Sequence, residues 1–296
     1  MEKVSILIAA YQAEGTLGRT LDSVRQAQYE GQVEVIAADD GSTDQTAALA
    51  RARGAKVIAL DHQGRAAALN AGLKAATGDI IFFTDADCIV PPDWITETLL
   101  QLGDYDGVGG NLWPSRFTAV ELAKVLRYVE EFELDFELAG EYAGRCLNGN
   151  NMALRRKALE AVAGFDASFM HGADADLTRR LLQAGYRLRR TTATRTVHLK
   201  VDSLCQFLQT AWRRGSTVRF GMKSGSESAI SLARALFLSP WKWLLRDYAR
   251  LPHLLVLGAG ANTWRVWFAP LINFLHGIVN ACGRIYYYRR FRREGS

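Results

Sequence analysis

Three acidic clusters in the first two thirds of the chain have residue types and spacings that could bind a metal ion or move a proton. They are Asp39-Asp40, Asp85-Ala86-Asp87 and Asp174-Ala175-Asp176. One carboxylate at the end of a strand often just forms a turn or caps a helix. Three clusters that meet at one sheet edge would repel one another, unless a ligand supplies a divalent cation and hydrogen-bond donors. The clusters together therefore indicate a binding site.

The Asp85-Ala86-Asp87 cluster is the most informative, because it directly follows the apolar run IIFFT. An Asp-x-Asp sequence on an extended turn can direct two carboxylates to the same side. Oxygen ligands of this kind suit Mg²⁺ or Mn²⁺, which keep open positions for substrate phosphates. We therefore expect Mg²⁺ or Mn²⁺ as the cofactor.

Several other kinds of site are disfavoured by motifs that the sequence lacks. It contains neither the GxxxxGK[ST] loop of a Walker-type NTPase nor a GxGxxG after the first strand. The second absence argues against a dinucleotide-binding dehydrogenase. The four cysteines are widely spread with no CxxC spacing, so a disulfide framework or a structural zinc site is not expected.

The elements that must position these residues alternate along the first 110 residues. Apolar runs predict strands at 4–10, 33–38, 56–60 and 80–84, and helical periodicity predicts helices at 16–27, 42–53 and 66–76. This alternation predicts a mainly parallel sheet with helices on both faces, which binds ligands at the carboxyl ends of its strands. Further helices are predicted at 119–138 and 174–184.

Five segments resemble, in order and at ordinary spacing, the motifs of a family 2 glycosyltransferase of GT-A fold. They are VSILIAAYQAEGTLGRTLDSV, VEVIAADDGSTDQT, GRAAALNAGLKAATGDIIFFTDADCIVPPDW, NGNNMALRRKALEAVAGFDASF and GADADLTRRLLQAGYRL. The resemblance covers about residues 3–220. It implies a Rossmann-like mixed sheet flanked by helices, and an inverting sugar transfer from a nucleotide-sugar donor, usually with a divalent metal.

The resemblance also implies roles for individual residues, carried over by position. Asp40 looks like the carboxylate that reads the nucleobase, with Asp39 a weaker candidate, and Asp174 resembles the general base. Asp85 and Asp87 resemble the metal and ribose motif, with Asp87 the stronger metal ligand. The other expected donor-site residues are Ala10, Tyr11 and Glu14 around the nucleotide, Arg65 and Asn70 near the diphosphate or ribose, and Asn148, Gly149 and Asn150 along the sugar.

Two positions depart from the family pattern or leave alternatives open. The family often has an acidic residue before the base, and here it is Ala173, so the base could be Asp174 or Asp176. Asp176 has a structural alternative as a carboxylate at a helix start. His198 could complete the metal shell, although a lone histidine is more often a strand-edge or core residue.

The last third of the chain is basic and aromatic. Residues 200–296 contain 15 Lys and Arg but only 4 Asp and Glu, together with five of the seven tryptophans. An amphipathic helix is predicted at 203–222, and residues 266–283 contain no charged side chain. These features favour peripheral attachment to an anionic membrane, with one or two membrane segments or an oligomer interface as alternatives. No nucleic-acid-binding motif accompanies the charge.

The sequence thus predicts a GT-A catalytic domain over 1–200, with a nucleotide-sugar half (1–110) and an acceptor half (111–200). A helical membrane-associating region is predicted over 201–296. The expected reaction is a single, metal-assisted transfer from a UDP-sugar to a lipid-linked or growing surface glycan. The absence of a signal sequence predicts the cytoplasmic face of the plasma membrane. Alternatives are a GDP-mannose-dependent mannosyltransferase and a non-catalytic nucleotide-sugar-binding scaffold.

Overall fold

The computed structural model describes residues 1–127, 134–138, 146–169, 171–215, 239–252 and 264–293. The chain divides into two compact units. The first comprises residues 1–113 and 131–200, and the second comprises residues 114–130 and 201–296. Residues 114–130 thus group with the C-terminal unit, and the domain bounds 1–200 and 201–296 stay a prediction.

Within the described residues, the first unit is built on a mixed sheet of nine strands. The strands are β1 (Val4–Ala10), β2 (Val33–Asp39), β3 (Lys56–Ala59), β4 (Ile80–Asp85), β5 (Cys88–Ile89), β6 (Gly107–Pro114), β7 (Phe136–Leu138), β8 (Asn151–Arg155) and β9 (Leu188–His198). Their order is β3-β2-β1-β4-β8-β6-β9-β5, and β7 pairs with β9. The first four strands are parallel, and β8 runs antiparallel to β4. The predicted mixed α/β fold is confirmed.

Helices cover the sheet and form much of the second unit. Those of the first unit are α1 (Leu17–Gln26), α2 (Thr46–Ala52), α3 (Arg65–Ala75), α4 (Trp94–Leu102), α6 (Arg156–Ala161) and α7 (Ala173–Gln183). Those described in the second unit are α5 (Ala119–Arg127), α8 (Leu204–Arg214), α9 (Ser239–Ala249) and α10 (Trp264–Arg293).

Alternate residues of β1 enter two separate cores, which explains why the whole strand is apolar. Ile6 packs in one core with Leu17 of α1 and Trp94 of α4. Leu7 packs in the other core with Leu69 of α3. A parallel strand that is covered by helices on both faces needs apolar side chains at consecutive positions. This double burial holds β1 in place between β2 and β4, and the ends of β2 and β4 carry two of the acidic clusters.

The four strands predicted in the first 110 residues are confirmed, with ends that differ by a single residue at most. The helix predicted from residue 42 begins instead at Thr46. Ser and Thr just before a helix usually cap it, but the hydroxyl groups of Ser42 and Thr43 accept hydrogen bonds from the backbone and side chain of Gln12. Contacts to the neighbouring loop thus replace the expected capping.

The helix predicted over 119–138 is wrong at its C-terminal end. Helix α5 is described as far as Arg127, residues 128–133 lie outside the described residues, and Phe136–Leu138 form β7. This short strand pairs antiparallel with β9, with Phe136 in register with Arg190. Pairing with a strand more than 50 residues away overrides the local helical pattern. The helix predicted over 203–222 is described only as α8, since residues 216–222 lie outside the described part of the chain.

Candidate active site

The carboxyl ends of β1, β2 and β4 lie side by side at one edge of the sheet. Strand β1 lies between β2 and β4 and is parallel to both. Ala10 is therefore in register with Asp39, and Ala9 is in register with Asp85. Open α/β sheets bind ligands at the carboxyl ends of such strands, where the connections lead to opposite sides of the first strand.

An aromatic pair lies just beyond the end of β1. The ring of Tyr11 stacks on the ring of His62, with ring centroids 4.2 Å apart and an interplanar angle of 27°. Tyr11 is about half exposed. The backbone of His62 has a φ of +37°, a conformation that costs free energy in a residue other than glycine. The pair offers an exposed aromatic surface on which the planar ring of a ligand can stack.

Asp40 holds the loop that carries His62. Its buried carboxylate accepts hydrogen bonds from the backbone N–H groups of Gln63 at 2.7 Å and Gly64 at 2.9 Å. A carboxylate oxygen of Asp40 also lies 3.2 Å from Nδ1 of His62. Asp40 thus orients the loop that leads into α3, and its predicted contact with a nucleobase stays a prediction.

Ala10 and Glu14, two other residues predicted to border a nucleotide, connect neighbouring backbone segments. The carbonyl oxygen of Ala10 accepts a hydrogen bond from the backbone N–H of Asp40 at 2.8 Å. The carboxylate of Glu14 accepts one from the backbone N–H of Gln45 at 3.0 Å, at the start of α2. These bonds tie the loop after β1 to the loop after β2, so that both loops border the same site.

Arg65, the first residue of α3, joins the end of β4 to the loop before β8. Its Nε and Nη2 atoms donate to Oδ1 of Asp85 at 3.1 and 2.6 Å. Its Nη2 atom also donates to the carbonyl oxygen of Gly149 at 2.8 Å. A Cβ atom at position 149 would lie 3.1 Å from Nη2 of Arg65 and 3.4 Å from Cβ of Asp174. Glycine at 149 therefore leaves room for Arg65 and Asp174 where a Cβ atom would otherwise stand.

Asp174 lies in the first turn of α7 and faces this same loop. Its carboxylate accepts hydrogen bonds from the backbone N–H of Ala175 at 2.9 Å and of Gly149 at 3.4 Å. Arg65, Asp85 and Asp174 are thus brought together around Gly149, which no local sequence pattern required.

Asp176 occupies a different environment, although it is only two residues away. Its carboxylate is buried and accepts hydrogen bonds from Arg179 and from Nε of Arg180, both at 2.7 Å. Arg180 also donates to the carbonyl oxygens of Val162 and Gly164. Asp176 is therefore part of a buried network that holds α7 against the preceding loop. Asp174 therefore lies beside Gly149, whereas Asp176 is bound by two arginines, and the base role of Asp174 stays a prediction.

The acidic turn between β4 and β5 could hold a metal ion. Ligand atoms of Asp85, Asp87 and Cys88 lie within 4.8 Å of one another. Cys88 is fully buried, and burial together with the charges of the two aspartates raises the pKa of its thiol. The two carboxylates are the ligands of this group that suit Mg²⁺ or Mn²⁺.

His198 meets Asp87 because β5 pairs with β9. Cys88 is in register with His198, and Nε2 of the histidine lies 3.2 Å from Oδ2 of Asp87. The Nδ1 atom of His198 lies 2.8 Å from the carbonyl oxygen of Lys200, which fixes the ring and directs Nε2 toward the acidic turn. Burial alone would raise the pKa of the Asp87 carboxyl, but the hydrogen bond and charge of His198 outweigh burial and lower it.

Two predicted donor-site asparagines are placed differently from each other. The side-chain amide of Asn70 clamps the backbone of Phe165, since Nδ2 donates to its carbonyl oxygen at 2.7 Å and Oδ1 accepts from its N–H at 2.9 Å. The Oδ1 atom of Asn150, by contrast, is buried without a hydrogen-bond partner. A buried acceptor of this kind is costly unless a ligand supplies a donor. The predicted contacts of Asn70 with the diphosphate or ribose, and of Asn150 with the sugar, stay predictions.

The sequence predicts no role for His62, and for His198 it favours a structural role over a place in the metal shell. The only signal for His62 was its place in the loop between β3 and α3, at the predicted ligand edge of the sheet. For His198 no local signal existed, because the contact with Asp87 depends on a pairing of strands more than 100 residues apart.

The chain is similar to one protein family and to several single proteins. The model of "Glycosyl transferase family 2" matches residues 5–163. "Glycosyltransferase AglE" of Haloferax volcanii is 27% identical over 199 residues, which make up 62% of this chain and 63% of that protein. "UDP-Glc:alpha-D-GlcNAc-diphosphoundecaprenol beta-1,3-glucosyltransferase WfaP" of Escherichia coli is 37% identical over 91 residues, 29% of this chain and 36% of that one. The chain spans less than two thirds of the length of these relatives.

A solved structure shares the fold over nearly the whole chain. It is the mannosyltransferase PcManGT from Pyrobaculum calidifontis, in complex with GDP-Man and Mn²⁺. The TM-score is 0.66 at 21% sequence identity, and the match covers 96% of this chain and 87% of that one. At this identity the likeness shows the fold, which is the GT-A fold.

Proposed function

This chain belongs to glycosyl transferase family 2, and from that premise we propose that it performs one inverting sugar transfer from a UDP-sugar. The acceptor is a hydroxyl group of a lipid-linked or growing surface glycan. The observation that carries the proposal is the convergence of Arg65, Asp85 and Asp174 around Gly149. In this arrangement Arg65 is a cation that can bind a diphosphate, Asp85 is a carboxylate that can bind a metal ion, and Asp174 is a carboxylate that can accept a proton.

The donor nucleotide would bind along the loops after β1, β2 and β3. The stacked rings of Tyr11 and His62 supply an aromatic surface for the nucleobase, and Asp40 holds the loop beneath it. The guanidinium of Arg65 presents its donors to the diphosphate, since Arg binds phosphate oxygens through two parallel N–H groups. The orphaned acceptor of Asn150 lies beside Gly149 and would take a donor from the sugar.

The residues of the acidic turn fit Mg²⁺ or Mn²⁺. Asp85 and Asp87 are the oxygen ligands, and His198 directs a ring nitrogen to the same turn. When bound, such an ion supplies positive charge that stabilises the leaving nucleoside diphosphate. Cys88 is not an expected ligand, because these hard cations prefer oxygen.

Asp174 would act as the general base. Its carboxylate takes the proton of the acceptor hydroxyl as the hydroxyl oxygen attacks the anomeric carbon. The new bond forms between that oxygen and the anomeric carbon. The bond from the anomeric carbon to the phosphate oxygen breaks, and its electron pair leaves with the nucleoside diphosphate. One in-line displacement inverts the configuration without a covalent intermediate on the enzyme.

The location that we propose is the cytoplasmic face of the plasma membrane, at an anionic surface. The excess of Lys and Arg in residues 200–296 supports it, because anionic headgroups attract such segments. The lipid-linked substrate in the printed name of the Escherichia coli relative supports a lipid-linked acceptor. A membrane-bound acceptor and a membrane-bound enzyme meet on the same surface.

GDP-mannose is the second candidate donor. The structural neighbour from Pyrobaculum calidifontis was solved with GDP-Man and Mn²⁺, and its match covers 96% of this chain. The residue types around Tyr11 and Asp40 do not distinguish a site for uracil from a site for guanine.

The test is a donor-hydrolysis and binding panel with UDP-, GDP-, dTDP- and CMP-sugars, in Mn²⁺ and in EDTA. One UDP-sugar should bind and be hydrolysed only with the metal. Asp174→Asn should bind that donor nearly as the wild type does, but lose at least about 100-fold in turnover. If GDP-mannose binds and no UDP-sugar does, the proposed donor is wrong and GDP-mannose takes its place. A fully active Asp174→Asn variant would show that Asp174 is not the general base.

A further inference from the structure

Helix α10 in the second unit has its polarity reversed relative to a helix in a water-soluble bundle. Asn273 and His276, near its middle, are each only 1% exposed. Trp267, by contrast, is 63% exposed, and Leu271 and Leu275 are also exposed. The polar residues therefore face the interior of the unit and the large apolar residues face outward.

The inward polar residues hold the neighbouring helices of this unit. Nδ2 of Asn273 donates to the carbonyl oxygen of Ala123 on α5 and to Oδ2 of Asp247 on α9, both at 2.8 Å. Asn280 donates to the carbonyl oxygen of Ala211 on α8 at 2.9 Å. The polar side of α10 thus lies against α5, α8 and α9.

Small residues complete the inner face. Ala269 and Ala281 are buried, and glycine at 283 lets α8 lie close to α10. A Cβ atom at position 283 would lie 2.5 Å from the carbonyl oxygen of Trp212, so a larger residue would push α8 away. Inner faces made of small residues and of Asn that bonds across helices are typical of bundles surrounded by lipid.

Helix α9 extends the outer apolar surface. Trp241 and Leu245 are exposed, the latter by 73%, and the Trp241 ring contacts Phe274 of α10 edge-on at 4.9 Å. We call the exposed set Trp241, Leu245, Trp267, Leu271 and Leu275 the outer apolar face. Soluble proteins rarely expose several large apolar side chains on adjacent helices, unless the surface binds a partner or a membrane.

The basic end of α10 indicates what covers this face. Arg289, Arg290, Arg292 and Arg293 are all exposed, and they follow Tyr286–Tyr288. Tyrosines at the boundary of an apolar segment, followed by a cluster of arginines, match the order of acyl chains, interface and anionic headgroups. A second protein copy would explain the apolar residues but not this ordered change to positive charge.

We propose that the outer apolar face inserts into the acyl-chain region of an anionic bilayer. The proposal goes beyond the electrostatic attachment under the proposed function, from which it takes only the membrane location. At 11 residues, α9 is about 16 Å long and cannot span a bilayer, so it contributes by lying along the interface. Helix α10 has 30 residues, and by length and composition alone its stretch Val266–Arg293 could cross a bilayer.

The experiment uses the full chain and vesicles of phosphatidylglycerol and phosphatidylethanolamine in a flotation assay. At about 1 M NaCl the Debye length is about 3 Å, so purely electrostatic binding is screened. Wild-type protein should still float under these conditions. The double variant Leu245→Glu with Leu271→Glu should lose at least about tenfold in bound fraction at high salt, because it would place two carboxylates in hydrocarbon.

Leu100→Glu is the matched control, because Leu100 is 71% exposed on α4 of the first unit. It should float as the wild type does, and circular dichroism should show all three proteins folded. Release of the wild type by salt would overturn the proposal, as would a double variant that floats normally. If the wild type is a dimer without vesicles and the double variant is a monomer, the outer apolar face binds a second copy of the chain. That result would also overturn the proposal. Donor hydrolysis, measured on the same samples, tests the proposed function separately.

Discussion

Replacing Arg65 by alanine should change metal binding and nucleotide binding in opposite directions. The guanidinium holds Oδ1 of Asp85 through two hydrogen bonds, at 3.1 and 2.6 Å. Asp85 cannot give that oxygen to a cation without losing the ion pair. The diphosphate of a donor would compete for the same guanidinium and release Asp85. Arg65 should therefore lower the affinity for the metal ion when no donor is bound. It should raise the affinity for the donor when the metal ion is bound.

The contacts set the expected size of each effect. Both side chains of the ion pair are partly exposed, so its contribution is discounted to about 1 kcal/mol. Arg65→Ala should then tighten Mn²⁺ binding to the nucleotide-free protein by about fivefold. The same variant loses a charged hydrogen bond to phosphate of about 1.5–3 kcal/mol, so UDP with saturating Mn²⁺ should bind about 10- to 100-fold more weakly.

Electron paramagnetic resonance of free Mn²⁺ measures the first affinity, and titration calorimetry with UDP measures the second. Arg53→Ala is the matched control, because Arg53 forms a comparable ion pair with Asp22 at 3.1 Å, outside the residues assigned to the site. It should leave both affinities unchanged. If Arg65→Ala weakens both ligands together, or leaves Mn²⁺ binding unchanged, the reasoning about Asp85 is refuted.

Three further substitutions test other parts of the first unit. Asp87→Asn should weaken Mn²⁺ binding by at least about tenfold in the same resonance titration, and an unchanged affinity would remove Asp87 from the metal site. Asp176→Asn should lower the free energy of unfolding in urea by about 2 kcal/mol, since it removes the negative charge that pairs with Arg179 and Arg180, whereas a stable but inactive variant would point to catalysis. Burial alone would raise the pKa of Asp135, but hydrogen bonds from Thr192 and the charge of Arg189 outweigh it and lower the pKa. The stabilisation by Asp135 is thus present above about pH 4 and lost as the pH falls, so Asp135→Asn should flatten the acid side of the stability curve, and an unchanged slope would contradict this.

Much of the first half of the fold could be predicted from local patterns. The strands at 4–10 and 80–84 are apolar because both of their faces are buried, and burial on both faces leaves an uninterrupted signal in the sequence. Asp40 and Asp85 follow such strands directly, so the parallel order of the strands was enough to place them at one edge.

Local patterns failed where distant segments compete for the same residues. Phe136–Leu138 lie in a segment with helical periodicity, yet they pair with β9. Ser42 looks like a helix cap, yet its hydroxyl accepts from Gln12 in the loop after β1. In both cases a contact between elements replaces a local hydrogen bond of similar strength, and its partner cannot be seen from the segment alone.

The sequence by itself determined the family, the acidic clusters, and the strand ends on which they lie. Only the tertiary structure separated Asp174, which faces the site, from Asp176, which is buried against two arginines. It also brought His198 to Asp87 and turned the polar side of α10 inward. Residue type and spacing fix which chemistry a side chain can perform and which local element it joins. The direction of a side chain and its partner depend on packing between segments far apart in sequence, which one-dimensional periodicity does not encode.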